Sequence, residues 1–417
     1  MAGGPEIVFQ EYPSRRGPEW GSGGIFGLKY HRETLYYVLT FEAVTYFVHR
    51  DEVKTYRFEE LGPGPASGGD TYNAVDAVDD KIYFGGWVHN PALFKGKEGY
   101  VGEVDFRNKY SHVHEYDLSE GRVKLLWKDC IHDEFRWAGE ISQIIYDPVN
   151  DVLLLGRSDG MENLGVYELS RDGRSLRQLS NMPALKGSLF LDYACFDVQP
   201  NWVKGVEGLQ CLDLVRRVWV RHDVRDWTGI SVDRYGVENR TSGYAVSAYT
   251  RYWHFMRGGV LVGNPVEPEV EAPAFIRLLD FGRSVYAPHR SNALNTGGGV
   301  LAVFNASTHG FIHPYRIPED VEMRKHFNAV VAPSVLLYIT PPQARVVAVL
   351  GARVTSMTKA GSKVLIAYNT TPNLGGRDST PIDSGVRGIM SIDEYTLISA
   401  RNPPLTMKVP GWLVGGG

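Results

Sequence analysis

Residues 72–90, YNAVDAVDDKIYFGGWVHN, contain the pattern that decides the fold. A short apolar segment is followed by a tight turn at Asp79-Asp80, and a second apolar segment then ends in glycines. Two β-rich segments joined by such a turn predict a β-hairpin. The pattern recurs about seven times, starting near Gly24, Tyr72, Ile141, Tyr193, Ala245, Ser291 and Val354. Repeats spaced roughly 50 residues apart are typical of the blades of a β-propeller.

The repeats predict an all-β protein, a seven-bladed β-propeller built from four-stranded antiparallel blades. We expect residues 1–417 to form a single propeller domain, because a closed ring can use a chain of this length as one unit. A ring must also be closed. The segment EIVFQEY near the N-terminus is expected to complete the last blade beside residues 387–400, so that the N- and C-terminal strands close the ring.

Composition excludes several classes of protein. The net charge of -4 gives no basic face for nucleic acid, and no apolar run is long enough to span a membrane. The first residues lack the basic and apolar segments of a signal peptide, which favours a cytoplasmic protein.

Cys130, Cys195 and Cys211 fit neither a disulfide framework nor a zinc site, so we expect free thiols. No Walker loop or dinucleotide fingerprint is present, and no cofactor is predicted.

Three stretches carry a family resemblance: GPEWGSGGIFGLKY, TYNAVDAVDDKIYFGGWVHNPA and FRNKYSHVHEYDLSEG. They resemble an archaeal family of uncharacterised, propeller-like proteins. The resemblance implies the fold and supplies no catalytic residues. The number of charged residues in the chain would suit a thermophile.

Residues just before the first strand of each repeat, or just after the second, should converge on one central mouth of the propeller. The carboxylates expected there as catalytic residues are Glu140, Asp192 and Glu267. The side chains expected to bind the ligand are Asn73, Trp87, His89, Trp137, Arg157, Asp159, Asn264, Asn292, Asn305 and His309. Each has a structural alternative: Glu140 could instead pair with Arg157, and the tryptophans could pack between blades.

Paired carboxylates and aromatic rings at one mouth favour a carbohydrate-active enzyme, most plausibly a glycoside hydrolase acting on a glycan or another small molecule. The alternative is a non-enzymatic propeller that presents its loops to a protein partner. A metal-dependent lactonase is a weaker alternative. His112 and His114 share one face of a strand, but no third ligand is evident, so no metal site is predicted. The fold alone cannot choose among these functions.

Overall fold

The part of the chain that the structure describes folds into a ring of β-sheets with one short helix. The computed structural model describes residues 6–11, 25–39, 44–57, 74–88, 109–131, 138–158, 160–198, 208–223, 269–270, 293–305, 334–340, 343–350, 353–369, 387–400 and 405–407. Within these ranges six sheets are present, five of four strands and one of six. The all-β propeller with four-stranded antiparallel blades is therefore confirmed.

Blades 1 to 4 follow one another along the chain, each with its strands in sequence order. Blade 1 contains β2 (Ile25–His31), β3 (Thr34–Leu39), β4 (Val44–His49) and β5 (Glu52–Arg57). Blade 2 contains β6 (Val75–Val78), β7 (Lys81–Val88), β8 (Lys109–Asp117) and β9 (Arg122–Ile131). Blade 3 contains β10 (Glu140–Asp147), β11 (Val152–Ser158), β12 (Gly165–Ser170) and β13 (Leu176–Ser180). Blade 4 contains β14 (Ala184–Phe190), β15 (Tyr193–Val198), β16 (Gly208–Asp213) and β17 (Trp219–Asp223).

The last two blades use strands from distant parts of the chain. Blade 5 has six strands: β19 (Ala293–Thr296), β20 (Gly299–Asn305), β21 (Ser334–Thr340), β22 (Gln343–Leu350), β18 (Glu269–Val270) and β26 (Leu405–Met407). Blade 6 contains β23 (Arg353–Ala360), β24 (Lys363–Asn369) and β25 (Arg387–Asp393), with β1 (Glu6–Glu11) as its outermost strand. β1 pairs antiparallel with β25, with Glu6 opposite Ser391 and Glu11 opposite Arg387. The prediction that residues 1–417 form a single domain stays a prediction.

The predicted number of seven blades is wrong for the part of the chain that the structure describes. The innermost strands β2, β6, β10, β14, β19 and β23 each contact the next, and β23 contacts β2, so six blades close the ring. No blade stands between blades 4 and 5, since the backbone N–H of Leu191 donates to Oδ1 of Asn295 at 3.0 Å. The repeat that starts near Ala245 lies outside the described residues.

Apolar side chains hold neighbouring blades together. Between blades 1 and 2, for example, Tyr36, Phe47 and Phe84 lie in one buried cluster. Strands that pack on both faces bury nearly every side chain, and β10 is buried at seven of its eight positions. This explains why its sequence, EISQIIYD, does not alternate cleanly between polar and apolar residues. The interior of the ring is therefore continuous from blade to blade.

Blade 4 departs from the repeat as the sequence predicted it. The copy that starts near Tyr193 consists of β15 and β16, so the innermost strand of this blade is β14, one strand earlier. Cys195 in β15 lies directly opposite Cys211 in β16. Their sulfur atoms are joined in a disulfide, with Cα atoms 4.0 Å apart. The prediction of free thiols is thus wrong for these two cysteines, because the correct register places them side by side.

The helix α1 (Glu394–Ser399) follows β25 directly. Oδ1 of Asp393 accepts a hydrogen bond from the backbone N–H of Thr396 at 2.8 Å, which caps the first turn. Leu397 is the buried residue of this helix and joins the apolar cluster of blades 5 and 6. Among the described residues, no helix has the length and apolar character needed to cross a membrane.

Candidate functional site

Glu140 lies at the first position of the innermost strand of blade 3. It pairs with Ser158, the last residue of β11, so both lie at the end of the propeller where the innermost strands begin. We call this the Glu140 end. The Glu140 side chain has 0% of its surface exposed. A carboxyl group removed from water is costly to ionise unless its surroundings compensate the charge.

The backbone that precedes Glu140 is fixed by several hydrogen bonds. The carbonyl oxygen of Gly139 accepts from Oγ of Ser111 at 2.7 Å and from Nε and Nη2 of Arg157 at 3.2 and 3.1 Å. The N–H of Gly139 donates to the carbonyl of Glu162 at 2.7 Å. Gly160 packs so closely that a Cβ atom there would lie 2.4 Å from the nitrogen of Gly139. This close approach requires a residue without a side chain, and it holds the start of β10 in place.

Arg157 is buried, with 1% of its surface exposed, and its ion pair is with Asp129. Nη2 of Arg157 lies 2.8 Å from Oδ2 of Asp129, which belongs to the neighbouring blade 2. The guanidinium carbon also lies 5.4 Å from the ring centre of Trp127 and 5.1 Å from that of Tyr167. Burial lowers the pKa of Arg157, and the charge of Asp129 opposes that shift. The predicted alternative, an ion pair between Arg157 and Glu140, is therefore replaced by a pair between blades.

Further polar groups surround these residues. Oγ of Ser142 lies 3.0 Å from Oγ of Ser158, and both serines are buried. Nδ2 of Asn163 donates to Oδ2 of Asp129 at 2.7 Å, so this oxygen accepts from two residues of blade 3. Glu140, Ser142, Arg157 and Ser158 are buried polar side chains at one end of the propeller, and this concentration marks the Glu140 end as a candidate binding or catalytic site.

The structure places the other predicted site residues as follows. Asp192 lies in the turn between β14 and β15 and is exposed, so it is at the opposite end of the propeller from Glu140. Its selection rested on the incorrect strand frame of blade 4. Trp87 and Asn305 stand at the ends of β7 and β20, at the Glu140 end. The remaining predicted residues lie outside the described ranges: Asn73, His89, Trp137, Asp159, Asn264, Glu267, Asn292 and His309. The described residues therefore place Glu140 and Arg157 at the same end of the propeller, on neighbouring strands, and Asp192 at the other end.

Sequence reasoning missed Asp129, Asn163 and the two serines. Asp129 lies near the end of the outermost strand of blade 2, where no repeat pattern draws attention to a carboxylate. Its relevance comes only from the contact with Arg157 across the boundary between blades. Ser158, by contrast, directly follows Arg157 at the end of a second strand, which is the position that the repeat geometry singled out.

His112 and His114 contact each other and a tyrosine of blade 1. Their Nδ1 atoms lie 2.9 Å apart, and Nε2 of His114 lies 3.2 Å from the hydroxyl of Tyr56. The described residues contain no cluster of three or more histidine, cysteine, aspartate or glutamate side chains placed to hold a metal ion. Both histidines are buried between blades 1 and 2.

A second polar region lines the axis of the ring. A channel of about 210 Å³ is bounded by residues of all six innermost strands. Side chains of one blade accept hydrogen bonds from backbone N–H groups of the next: Asp76 from Tyr146, Gln143 from Gly187, Ser356 from Leu28 and Thr358 from Tyr30. These bonds satisfy backbone groups on the open edges of the innermost strands.

Several solved structures are similar to this chain in arrangement. The β-propeller domain of the Trilobed protease from Pyrococcus furiosus is 8% identical, with a TM-score of 0.37, and the match covers 83% of this chain and 91% of that chain. The oligogalacturonate lyase of Vibrio parahaemolyticus is 11% identical, with a TM-score of 0.39, and the match covers 89% and 78%. Sqt1 of Saccharomyces cerevisiae is 9% identical, with a TM-score of 0.34, and the match covers 88% and 84%. We infer no activity from similarity at this level.

The sequence itself identifies a family. No curated protein is significantly similar to the chain. The profile of an uncharacterised protein family conserved in archaea matches residues 35–377, which is most of the chain. This range includes two of the three stretches that carried the resemblance, TYNAVDAVDDKIYFGGWVHNPA and FRNKYSHVHEYDLSEG. The chain therefore belongs to the DUF2139 family of uncharacterised proteins conserved in archaea.

Proposed function

We propose that the protein is a carbohydrate-active hydrolase in which Glu140 serves as the catalytic acid. The observation that carries the proposal is the complete burial of the Glu140 side chain at the first position of an innermost strand. Ionisable groups held away from water concentrate at functional sites, where a general acid must retain its proton until the substrate takes it. The buried polar groups around Gly139 supply the rigid surroundings that such a residue needs.

Hydrolysis of a glycosidic bond needs a second carboxylate, which acts as a base or as a nucleophile. Asp129 is the candidate that the described residues favour. Arg157 contacts both Asp129 and the carbonyl of Gly139, so one guanidinium joins Asp129 to the peptide group that precedes Glu140. Oδ1 of Asp129 has no hydrogen-bond partner among the described residues and is available to a water molecule or a substrate hydroxyl. Glu267 stays a prediction as an alternative second carboxylate.

In this proposal Arg157 is a positioning residue. Its three hydrogen bonds fix the orientation of Asp129 and of the peptide group before Glu140. Substrates with many hydroxyl groups suit such a site, because they can both donate to carboxylates and accept from guanidinium and amide groups. We therefore propose a glycan or a small glycoside as the ligand.

The test is hydrolysis of a panel of nitrophenyl glycosides and unmodified oligosaccharides by the wild-type protein and by Glu140→Gln and Asp129→Asn. Loss of a general acid is expected to lower the rate by about 100-fold or more on substrates with poor leaving groups. Asp192→Asn is the matched control, because it removes an exposed acid at the opposite end and should leave the rate unchanged. Melting temperatures show that each variant is folded.

Two results would contradict the proposal. Equal rates for wild type and Glu140→Gln would remove Glu140 from the chemistry. Failure of the wild-type protein to hydrolyse or bind any glycan in the panel would favour the non-enzymatic interaction platform instead.

A further inference from the structure

We propose that the axial channel binds a small oxyanion, a carboxylate or a phosphate, through Lys29, Ser356 and Thr358. The three residues lie on adjacent innermost strands, Lys29 on β2 and the other two on β23, and all three line the channel. This site is separate from Glu140, and the inference does not depend on the proposed hydrolase.

Hydrogen-bond acceptors in the channel already have donors from the protein. Oδ1 of Asp76 lies 2.5 Å from Nζ of Lys29 and 2.8 Å from the N–H of Ala77, and Oδ2 accepts from the N–H of Tyr146 at 2.6 Å. Oε1 of Gln143 accepts from the N–H of Gly187 at 3.1 Å. The side-chain oxygen atoms of Asp76 and Gln143 therefore already accept hydrogen bonds from backbone N–H groups and from Lys29.

Asn295 is occupied in the same way. Its Oδ1 accepts from the N–H of Leu191 at 3.0 Å, and its Nδ2 donates to the carbonyl of the same residue at 3.4 Å. The Nε2 group of Gln143 likewise donates to the carbonyl of Ile144 at 3.2 Å. The amide side chains of Gln143 and Asn295 are thus already hydrogen-bonded to backbone groups, and they have few hydrogen-bonding positions left for a ligand.

The donors in the channel include two hydroxyl groups, those of Ser356 and Thr358. The hydroxyl oxygens of Ser356 and Thr358 accept from the N–H groups of Leu28 and Tyr30, at 3.1 and 3.0 Å. Each hydroxyl also carries one proton, and neither proton has an acceptor among the described residues. Ser356 and Thr358 have 4% and 3% of their surface exposed, so bulk water reaches them poorly.

Lys29 adds charge to these donors. An ammonium group has three N–H bonds, and Asp76 is its one partner in the described part of the chain, so two remain. What is left in the channel is therefore an excess of hydrogen-bond donors on two neighbouring strands, including N–H bonds of an ammonium group whose charge Asp76 balances. A ligand that accepts several hydrogen bonds and carries negative charge satisfies that excess. The volume of about 210 Å³ is enough for one small carboxylate or phosphate with its water.

Titration calorimetry with inorganic phosphate and with acetate tests the inference, with sodium chloride at the same ionic strength as the reference and acetamide as the neutral analogue. Lys29→Met is expected to weaken binding about tenfold or more, since it removes a charge-assisted hydrogen bond. Lys359→Met is the matched control: Nζ of Lys359 lies 2.7 Å from Oε2 of Glu394, outside the channel lining, and its loss should leave the affinity unchanged.

The two probes distinguish the sources of the oxyanion: preference for acetate indicates a carboxylate ligand and preference for phosphate a phosphorylated one. If Lys29→Met does not fold, Thr358→Val compared with Thr358→Ser tests the same donors, and only the valine variant should lose affinity. Absence of binding by both probes above the chloride reference would overturn the inference. So would equal affinity in wild type and Lys29→Met, or binding of acetamide as tight as that of acetate.

These outcomes are independent of the hydrolase assay. A failure at Glu140 would leave the channel result standing, and a failure in the channel would leave the Glu140 proposal standing.

Discussion

Acid should destabilise the propeller through the buried histidines of blade 2. His114 stacks on Phe84, with ring centres 5.3 Å apart, and its Nδ1 lies 2.9 Å from Nδ1 of His112. Two nitrogens at that distance form a hydrogen bond when one carries a proton and the other does not. Protonation of the accepting ring places a proton on its Nδ1 as well, so the bond is replaced by repulsion between two donors.

The magnitude follows from the pKa difference between the folded and unfolded chain. Burial lowers the pKa of His114 from 6.5 to about 3. It also lowers the pKa of His112, an effect to which the neighbouring His114 adds. Because the unfolded chain binds the proton more readily, stability is fully present above pH 6.5 and is lost as the pH falls below that value. Between pH 7 and pH 5, His114 alone should cost about 2 kcal/mol of the free energy of unfolding.

The assay is urea unfolding of wild type and His114→Gln at a series of pH values from 7 to 5. The wild-type protein should lose about 2 kcal/mol more than the variant over this interval. His49→Gln is the control, because His49 is exposed, and its pH dependence should match that of wild type. Equal losses in wild type and His114→Gln would refute the reasoning.

Two further predictions concern links within and between blades. Mass spectrometry of the denatured, unreduced protein should find Cys195 linked to Cys211 and Cys130 as the one free thiol, whereas three free thiols would contradict the structure. Reduction of this bridge, which spans 16 residues of sequence, should lower the free energy of unfolding by about 3 kcal/mol, measured by urea unfolding with and without reductant. Arg171 lies 2.6 Å from Asp79 of blade 2, so Arg171→Met should cost about 1 kcal/mol at low salt and less at high salt; a cost that does not depend on salt would exclude the ion pair as its cause.

The sequence predicted the hairpins more reliably than the ring. At the turns Asp147–Asp151 and Gly297–Gly298, which are flanked by apolar segments, the strands lie where the repeat placed them. Blade 4 was misread because its true first strand, ALKGSLF, carries a lysine and a glycine and has a weaker apolar signal than the following YACFDV. Because the innermost strand of blade 4 was assigned one strand too late, Asp192 was predicted at the wrong end of the propeller. The same error hid the pairing of Cys195 opposite Cys211.

The candidate site was predictable only in part. The position of Glu140 follows from the repeat, because it depends on a single hairpin and on the direction of one strand. The partner of Arg157 did not follow, because Asp129 comes from another blade and reaches it across a boundary that no local pattern describes. The axial donors were missed for a similar reason: the groups that line the channel come from six strands of six blades, and no local pattern brings those strands together.

The pairing of β1 with β25 has a consequence for how the protein is made. β1 leaves the ribosome long before β25, so this strand must wait for its partner until blades 1 to 5 have been synthesised. Until then the newly made blade edges are exposed to other nascent chains, and contacts between such distant segments form slowly. Completion of blade 6 is therefore a late event in the folding of the chain. In a cell, the abundance of the protein would depend on how well it is protected during that interval.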